Sequence, residues 1–178
     1  MNKKIYFLIM MVTIVISTIF PCPFGLETGM TYQDIENFCN EVGRKSDEYF
    51  QIIPKKRNTS FDKYFVKISE NEGLYYIRAE GSLFSSTAYE RETKNQFEVL
   101  ETDLTSKYGE PQKVCKDGGF SEIDYSLVWT KEMLNENFND IYEIRLSSIN
   151  SLYTGSVVIL EYYLSNYEKV KQQEIAVL

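Results

Sequence analysis

No histidine occurs among the 178 residues, and this absence removes much of the chemistry a chain of this size could perform. Ser–His and Cys–His nucleophile pairs, histidine general bases and the common zinc sites built from Cys and His all need the missing imidazole. Carboxylates remain, 26 of them. The close pairs Asp34/Glu36, Glu90/Glu92 and Glu101/Asp103 are spaced by two, which on a helix does not place both on one face, so they read as solvated surface. Asp117-Gly118-Gly119 with Glu122 and Asp124 offers oxygen ligands for Ca²⁺ but lacks the alternating order of a recognised calcium loop, and a plain turn is the simpler reading. No catalytic, metal or cofactor-binding set emerges from the residue types alone.

Three further features could carry chemistry or binding. Cys39 and Cys115 are the cysteines that remain if a leader is removed near Cys22. Either they form a disulfide, which export would permit, or both are small buried apolar residues. A bond would close a loop of roughly 75 residues and stabilise by about 4 kcal/mol on a chain-entropy estimate. Tyr75/Tyr76 and Tyr162/Tyr163 are consecutive pairs within apolar runs. In a strand each pair places one ring on each sheet face, one for the core and one to line a sugar- or peptide-binding surface or simply cover the sheet. Lys55-Lys56-Arg57 is a basic run whose default explanation is a solvated loop, and the neighbouring Asn58-Thr59-Ser60 matches the glycosylation pattern, which is common by chance.

The elements that must position these residues follow from periodicity. Thr31 is an N-cap with Asp34 three places on as a partial capping box. Ile35, Phe38, Cys39 and Val42 then give one helical stripe ending near Gly43. Tyr49 to Ile53 read as a strand stopped by Pro54. Tyr64, Val66 and Ile68 alternate with Lys63, Phe65 and Lys67, and after the turn Glu70-Asn71-Glu72-Gly73, Leu74 to Ala79 form the second arm of an antiparallel hairpin. Residues 81–90 read as a loop. Phe97, Leu100, Leu104 and Tyr108 mark a helix over about 91–108, closed by Gly109 and Pro111. Val114 and its neighbours give a short strand, and Tyr125, Leu127 and Trp129 make one face of another. Tyr142, Ile144 and Leu146 share a face of the next, and Val157–Leu164 is apolar enough for a central strand. A weak helical pattern covers Asn166 to Leu178. Phe38, Phe97, Leu100, Leu104, Trp129, Ile144 and Leu160 are expected in one core.

The result is an α+β fold: two helix-then-antiparallel-strands units in one compact domain over residues 23–178, with halves 23–90 and 91–178 if the order reflects a structural duplication. Lys3 and Lys4 precede an uncharged run from Ile5 to Phe20, the layout of a signal peptide over residues 1–22. Sixteen residues span about 24 Å as a helix, short of the roughly 30 Å of a bilayer core. The expected location is therefore exported, periplasmic or extracellular, with an uncleaved membrane anchor as the alternative. A lipoprotein reading of Cys22 is poor, because Phe20 and Pro21 precede it where small residues are needed. The mature amino terminus is expected between about residues 18 and 25. Without Lys3 and Lys4 the chain holds 17 Lys+Arg against 26 Asp+Glu, a formal charge of −9. That argues against a nucleic-acid partner, which needs a basic face. With 14 Tyr and 11 Phe the composition suits sheet rather than disorder.

Phe24-Gly25-Leu26-Glu27-Thr28-Gly29-Met30, directly after the leader, resembles the opening of a group of uncharacterised exported bacterial proteins that start F-G-L-x-x-G-M. That group resembles this chain also in a Tyr-rich hairpin with a Gly-Leu exit, here Tyr64 to Ile77, and in a helix ending Tyr108-Gly109-Glu110-Pro111. The resemblance covers about half of the mature chain and implies no activity. The Gly-Met-Thr helix start and the repeated helix-then-sheet order are similar at the fold level to β-lactamase inhibitor proteins and to the small lipoprotein of the outer-membrane barrel-assembly machinery. This second resemblance implies an exported binding module that presents a sheet face to another protein. The reading of the whole chain is a non-enzymatic binding or structural module of the cell envelope, with an envelope protein or a glycan as its partner. The alternative is a carboxylate-only hydrolase such as a glycosidase, which would need two carboxyls facing each other across a cleft.

Overall fold

The computed structural model describes residues 23–46, 48–84, 89–115, 125–151 and 155–176. In chain order the elements are α1 (Tyr32–Phe38), β1 (Cys39–Ser46), β2 (Tyr49–Pro54), β3 (Lys63–Ser69), β4 (Gly73–Glu80), α2 (Tyr89–Tyr108), β5 (Gln112–Cys115), β6 (Tyr125–Thr130), β7 (Ile141–Ser151), β8 (Gly155–Leu164) and α3 (Tyr167–Ala176). The strands form one antiparallel sheet in the order β1-β2-β3-β4-β8-β7-β6-β5. The α+β class expected from the sequence is what the chain adopts. No helix among the described residues is long and apolar enough to cross a membrane.

Alternation explains the two sheet faces. In β8, Val158, Leu160, Tyr162 and Leu164 point to the main core, and Glu161 and Tyr163 point away from it. In β4, Leu74, Ile77 and Ala79 join the same core. Helix α2 lies over that face against β8 and β7, inserting Phe97, Leu100, Leu104 and Tyr108. Its end is built as the sequence suggests. Gly109 takes a left-handed φ of 88° and its N–H donates to the Thr105 carbonyl at 2.9 Å, while the Trp129 indole Nε1–H donates to the Gly109 carbonyl at 2.6 Å. A single core therefore holds Phe97, Leu100, Leu104, Trp129, Ile144 and Leu160.

Phe38 does not join it and is half exposed, at 50%. The helix expected to reach Gly43 stops at Phe38, and Cys39 begins a strand. The Thr31–Asp34 capping box forms in full, so the start of the helix is as read. Its end is decided by tertiary pairing: Cys39, Glu41 and Val42 pair with Pro54, Ile53 and Ile52 of β2. Gly43 serves close strand approach rather than a helix cap, since a Cβ there would lie 3.3 Å from the Gln51 carbonyl oxygen. Tyr142 is a second difference. A register shift between Ile141 and Glu143 puts fully buried Ile141 in the core with Ile144 and Leu146 and leaves Tyr142 against Tyr167 of α3, ring centroids 6.1 Å apart.

The Phe24–Met30 segment is a strut of the fold. The Gly29 N–H donates to the Leu74 carbonyl at 2.9 Å, and the Leu74 N–H donates to the Met30 carbonyl at 2.8 Å. Leu26 and Met30 sink into the core. Gly29 and Gly73 both have positive φ, 79° and 67°, and their backbones meet so closely that a Cβ on Gly73 would fall 2.2 Å from the Gly29 oxygen. The three stretches that carry the resemblance thus mark backbone junctions: two close against each other, and the third ends α2.

Candidate functional site

The face of the sheet turned away from α2 carries Tyr75, Tyr76 and Tyr163, with Tyr49 and Tyr167 packed against them. Strand β4 has a bulge, for Lys67 pairs with Tyr76 and Ile68 with Leu74, leaving Tyr75 without an opposite residue. One inserted residue reverses the alternation, so Tyr75 and Tyr76 lie in the same buried cluster beyond the core face rather than one on each side. Tyr162 and Tyr163 keep strict alternation: Tyr162 is in the main core and Tyr163 packs against the outer cluster. Helix α3 covers this cluster with Val170 and Tyr167. The expected open aromatic surface is therefore corrected. Tyr75, Tyr76 and Tyr162 are buried, and only Tyr163 of the four stays half-buried.

What remains open there is a pocket of about 220 Å³ between Tyr49, Tyr75, Tyr76, Tyr163 and Tyr167. The rings pack edge to face: Tyr76 to Tyr163 at 5.2 Å, Tyr163 to Tyr167 at 4.8 Å and Tyr49 to Tyr76 at 6.0 Å between centroids. Glu161 sits among them and accepts a short hydrogen bond from the Tyr76 hydroxyl. On the neighbouring strands Arg78 and Arg145 are its cross-strand partners, each also paired along its own strand, with Glu80 at 2.7 Å and Glu143 at 2.8 Å. Lys67 pairs with Glu48 and stands 4.5 Å over the Tyr49 ring. Burial pushes the Tyr75 phenol up to about 12. Tyr76 and Tyr163 lie higher still, first through burial and then through the Glu161 charge. These hydroxyls are neutral donors at any physiological pH.

A second opening, about 360 Å³, lies on the α2 side. Phe24, Leu100, Leu104, Leu160 and Tyr162 give it apolar walls, and Lys56, Arg57 and Lys107 stand around it with Asp103. Phe24 is the one non-glycine residue with positive φ among those described, at 59°, a conformation costing about 1–2 kcal/mol. Its ring lies 4.9 Å from Tyr64 and 6.0 Å from Tyr162. The basic loop is pinned from below: the Tyr64 hydroxyl donates to the Asn58 carbonyl at 2.7 Å and accepts from the Asn58 N–H at 3.0 Å.

The other sequence candidates fall elsewhere. Cys39 is a buried free thiol, raised by burial. The strands that hold Cys39 and Cys115 are the two outer edges of the sheet, seven steps apart at about 4.8 Å each, against the roughly 7 Å between Cα atoms that a disulfide tolerates. The Cys39–Cys115 bond is not formed; the Cys115 side chain lies outside those described. Asp117 to Asp124 also lie outside the described residues. Asp34 is occupied by the α1 capping box, where the Thr31 hydroxyl and N–H lower its carboxyl. Lys55 donates to the Asn37 carbonyl at the end of α1 at 2.7 Å. The Asn58 side chain makes a local turn by accepting from the Ser60 N–H at 2.9 Å. Among the described residues no group of three or more Cys, Asp and Glu could hold a metal ion. The 360 Å³ opening was missed from the sequence, and its only signal there was the basic run. No protein-family model matches the chain, and no curated protein or solved structure matches it.

Proposed function

We propose that this chain is an exported binding module of the cell envelope and that its tyrosine-lined pocket receives one sugar ring of an envelope glycan. Export rests on the basic start and uncharged run of the first twenty residues. The likeness to the F-G-L-x-x-G-M group is consistent with it. In the same reading the fold is a duplication, with α1 and β1–β4 as one unit and α2 and β5–β8 as the other. The mirrored strand order about the β4–β8 pair supports this.

The observation that carries the binding reading is the convergence of tyrosines on one small opening with Glu161 and Lys67 among them. Ring faces suit the C–H face of a sugar, and a carboxylate and an ammonium suit its hydroxyls. At about 30 Å³ per water, 220 Å³ holds roughly seven waters, the scale of one ring. A second reading, a carboxylate-only hydrolase, draws on the same place because Glu48, Glu161 and Glu174 all line it. Titration of hexoses, amino sugars and uronic acids by NMR, with a reducing-end assay on envelope polysaccharides, separates the two. Shifts confined to the pocket's lining on β2, β3, β4, β8 and α3 and abolished by Tyr163→Ala, with no reducing ends released, support the module. Release of reducing ends that Glu161→Gln stops would make it a hydrolase, and no shift with any sugar would remove the glycan reading.

A further inference from the structure

We infer that the 360 Å³ cleft between α2 and the Lys56–Asn58 loop is a second, separate site, which binds a small anionic amphiphile: one carboxylate or phosphate head on a short apolar body. Its walls and its rim differ in kind. Phe24, Leu104 and Tyr162 close an apolar interior, and Lys56, Arg57 and Lys107 bring three positive charges to the opening. Among the described residues Asp103 is the only carboxylate lining it. This is a local inversion on a chain of net charge −7.

The three cations are not neutralised by neighbouring carboxylates. Among the described residues none of them makes an ion pair. Lys55, the remaining member of the basic run, is instead tied to α1. Lys107 rests over the Tyr108 and Phe138 rings, 4.8 and 6.0 Å from their centroids, which limits where its ammonium can go. The loop is held by Tyr64, so Lys56 and Arg57 are presented by an anchored backbone. Phe24 adds an independent sign, since strained left-handed residues concentrate at functional sites and this one forms the cleft wall.

Size sets the ligand. The cleft falls within the usual range for small-molecule pockets, about 300–1,000 Å³. It has room for about a dozen waters at about 30 Å³ each, hence a ligand of roughly ten to fifteen non-hydrogen atoms. A long acyl chain would not fit. Arg57 can grip a carboxylate or phosphate with two parallel hydrogen bonds, and the lysines add charge without demanding geometry.

The test is calorimetric titration of the purified protein with octanoate, octyl phosphate, octanol and inorganic phosphate. Both amphiphilic anions should bind, the preferred head being read from their ratio. Octanol and phosphate should each bind at least tenfold more weakly than the better anion. Lys56→Glu with Arg57→Glu, both exposed and so compatible with folding, should weaken that anion at least tenfold. Asp103→Asn should tighten it about two- to fivefold, and this arm stands even if the double variant does not fold. Raising salt from about 0.1 to 1 M, which shortens the screening length from about 10 to 3 Å, should weaken binding. Octanol binding as tightly as the better anion, an unchanged Kd for that anion in a folded double variant, or no binding of either anion would overturn the site. Binding to anionic phospholipid vesicles with all four soluble probes silent would overturn it too. None of these outcomes bears on the tyrosine pocket, which lies on the opposite face of the sheet.

Discussion

Adding one methyl group at Gly73 should destabilise the protein far more than adding one at Gly109, although both glycines have positive φ, 67° and 88°. A left-handed alanine costs about 1–2 kcal/mol wherever it stands. Around Gly109 nothing lies within 4 Å of the added carbon, so Gly109→Ala should lose that amount alone. At Gly73 the new Cβ would be 2.2 Å from the Gly29 oxygen and 2.4 Å from the Gly29 carbonyl carbon. Ordinary contact begins near 3.4 Å, so the Gly29 segment must retreat by about 1 Å. That retreat stretches the two hydrogen bonds between Gly29–Met30 and Leu74, now 2.9 and 2.8 Å, each worth about 1 kcal/mol net. It also lifts Leu26 and Met30 from the core. The total for Gly73→Ala is about 3–5 kcal/mol, a large share of the 5–15 kcal/mol typical of a domain. Urea unfolding followed by Trp129 fluorescence measures both variants on one scale. Losses at the two glycines within about 0.5 kcal/mol of each other would refute the account of the strut as a close backbone contact.

Four further outcomes follow from the packing and the charges. Phe97→Ala should cost about 3–5 kcal/mol and Phe38→Ala less than about 0.5, because the first ring is buried and the second half exposed; thermal unfolding distinguishes them. Alkaline titration at 295 nm should find Tyr75, Tyr76, Tyr162 and Tyr163 still protonated when exposed tyrosines have ionised. Their folded values are raised above the unfolded value of about 10. Their stabilisation is therefore intact below pH 10 and lost as pH rises, for Tyr75 through about 12. Glu72, lowered by its bonds from Lys169 and then Gln173, contributes above the ordinary glutamate range and loses that contribution as pH falls through its folded value. Protection of α3 amides against exchange, taken relative to the intrinsic rate at each pH, should accordingly fall in acid sooner than that of α2. Cys39 should resist a thiol reagent in the native protein and react on unfolding, since burial both shields it and disfavours its thiolate.

The sheet was largely legible because most of its strands alternate without interruption. Lys63 to Ala79 read as a hairpin, and Val157–Leu164 as a central strand, from side-chain type alone. Two misplacements share one cause. A bulge inserts a single residue whose presence depends on the partner strand, so nothing near Tyr75 or Tyr142 signals that the face reverses there. The end of α1 failed for a related reason. Ile35, Phe38, Cys39 and Val42 fit a helical stripe, but Cys39 and Val42 gain more by pairing with β2, an element that local periodicity cannot see. Neither pocket could be placed beforehand, because each is made by elements distant in sequence: Phe24 with Tyr162 in one, Tyr49 with Tyr167 in the other.

The seam where β4 meets β8 also sets an order of events. The other six ladders join strands adjacent in the chain, so each hairpin can close over a short loop. Tyr76 and Tyr163 must find each other across nearly ninety residues of chain, and their search is the slow, entropically expensive step. The two meanders can therefore assemble separately as partly ordered ribbons, each with an unsatisfied edge at β4 or β8. Only when β8, the last strand of the sheet in chain order, is available can those edges cover one another. A pause at that moment would leave the β4 and β8 edges as open to a neighbouring molecule as to each other, so strand exchange across this seam is the misassembly that the topology invites.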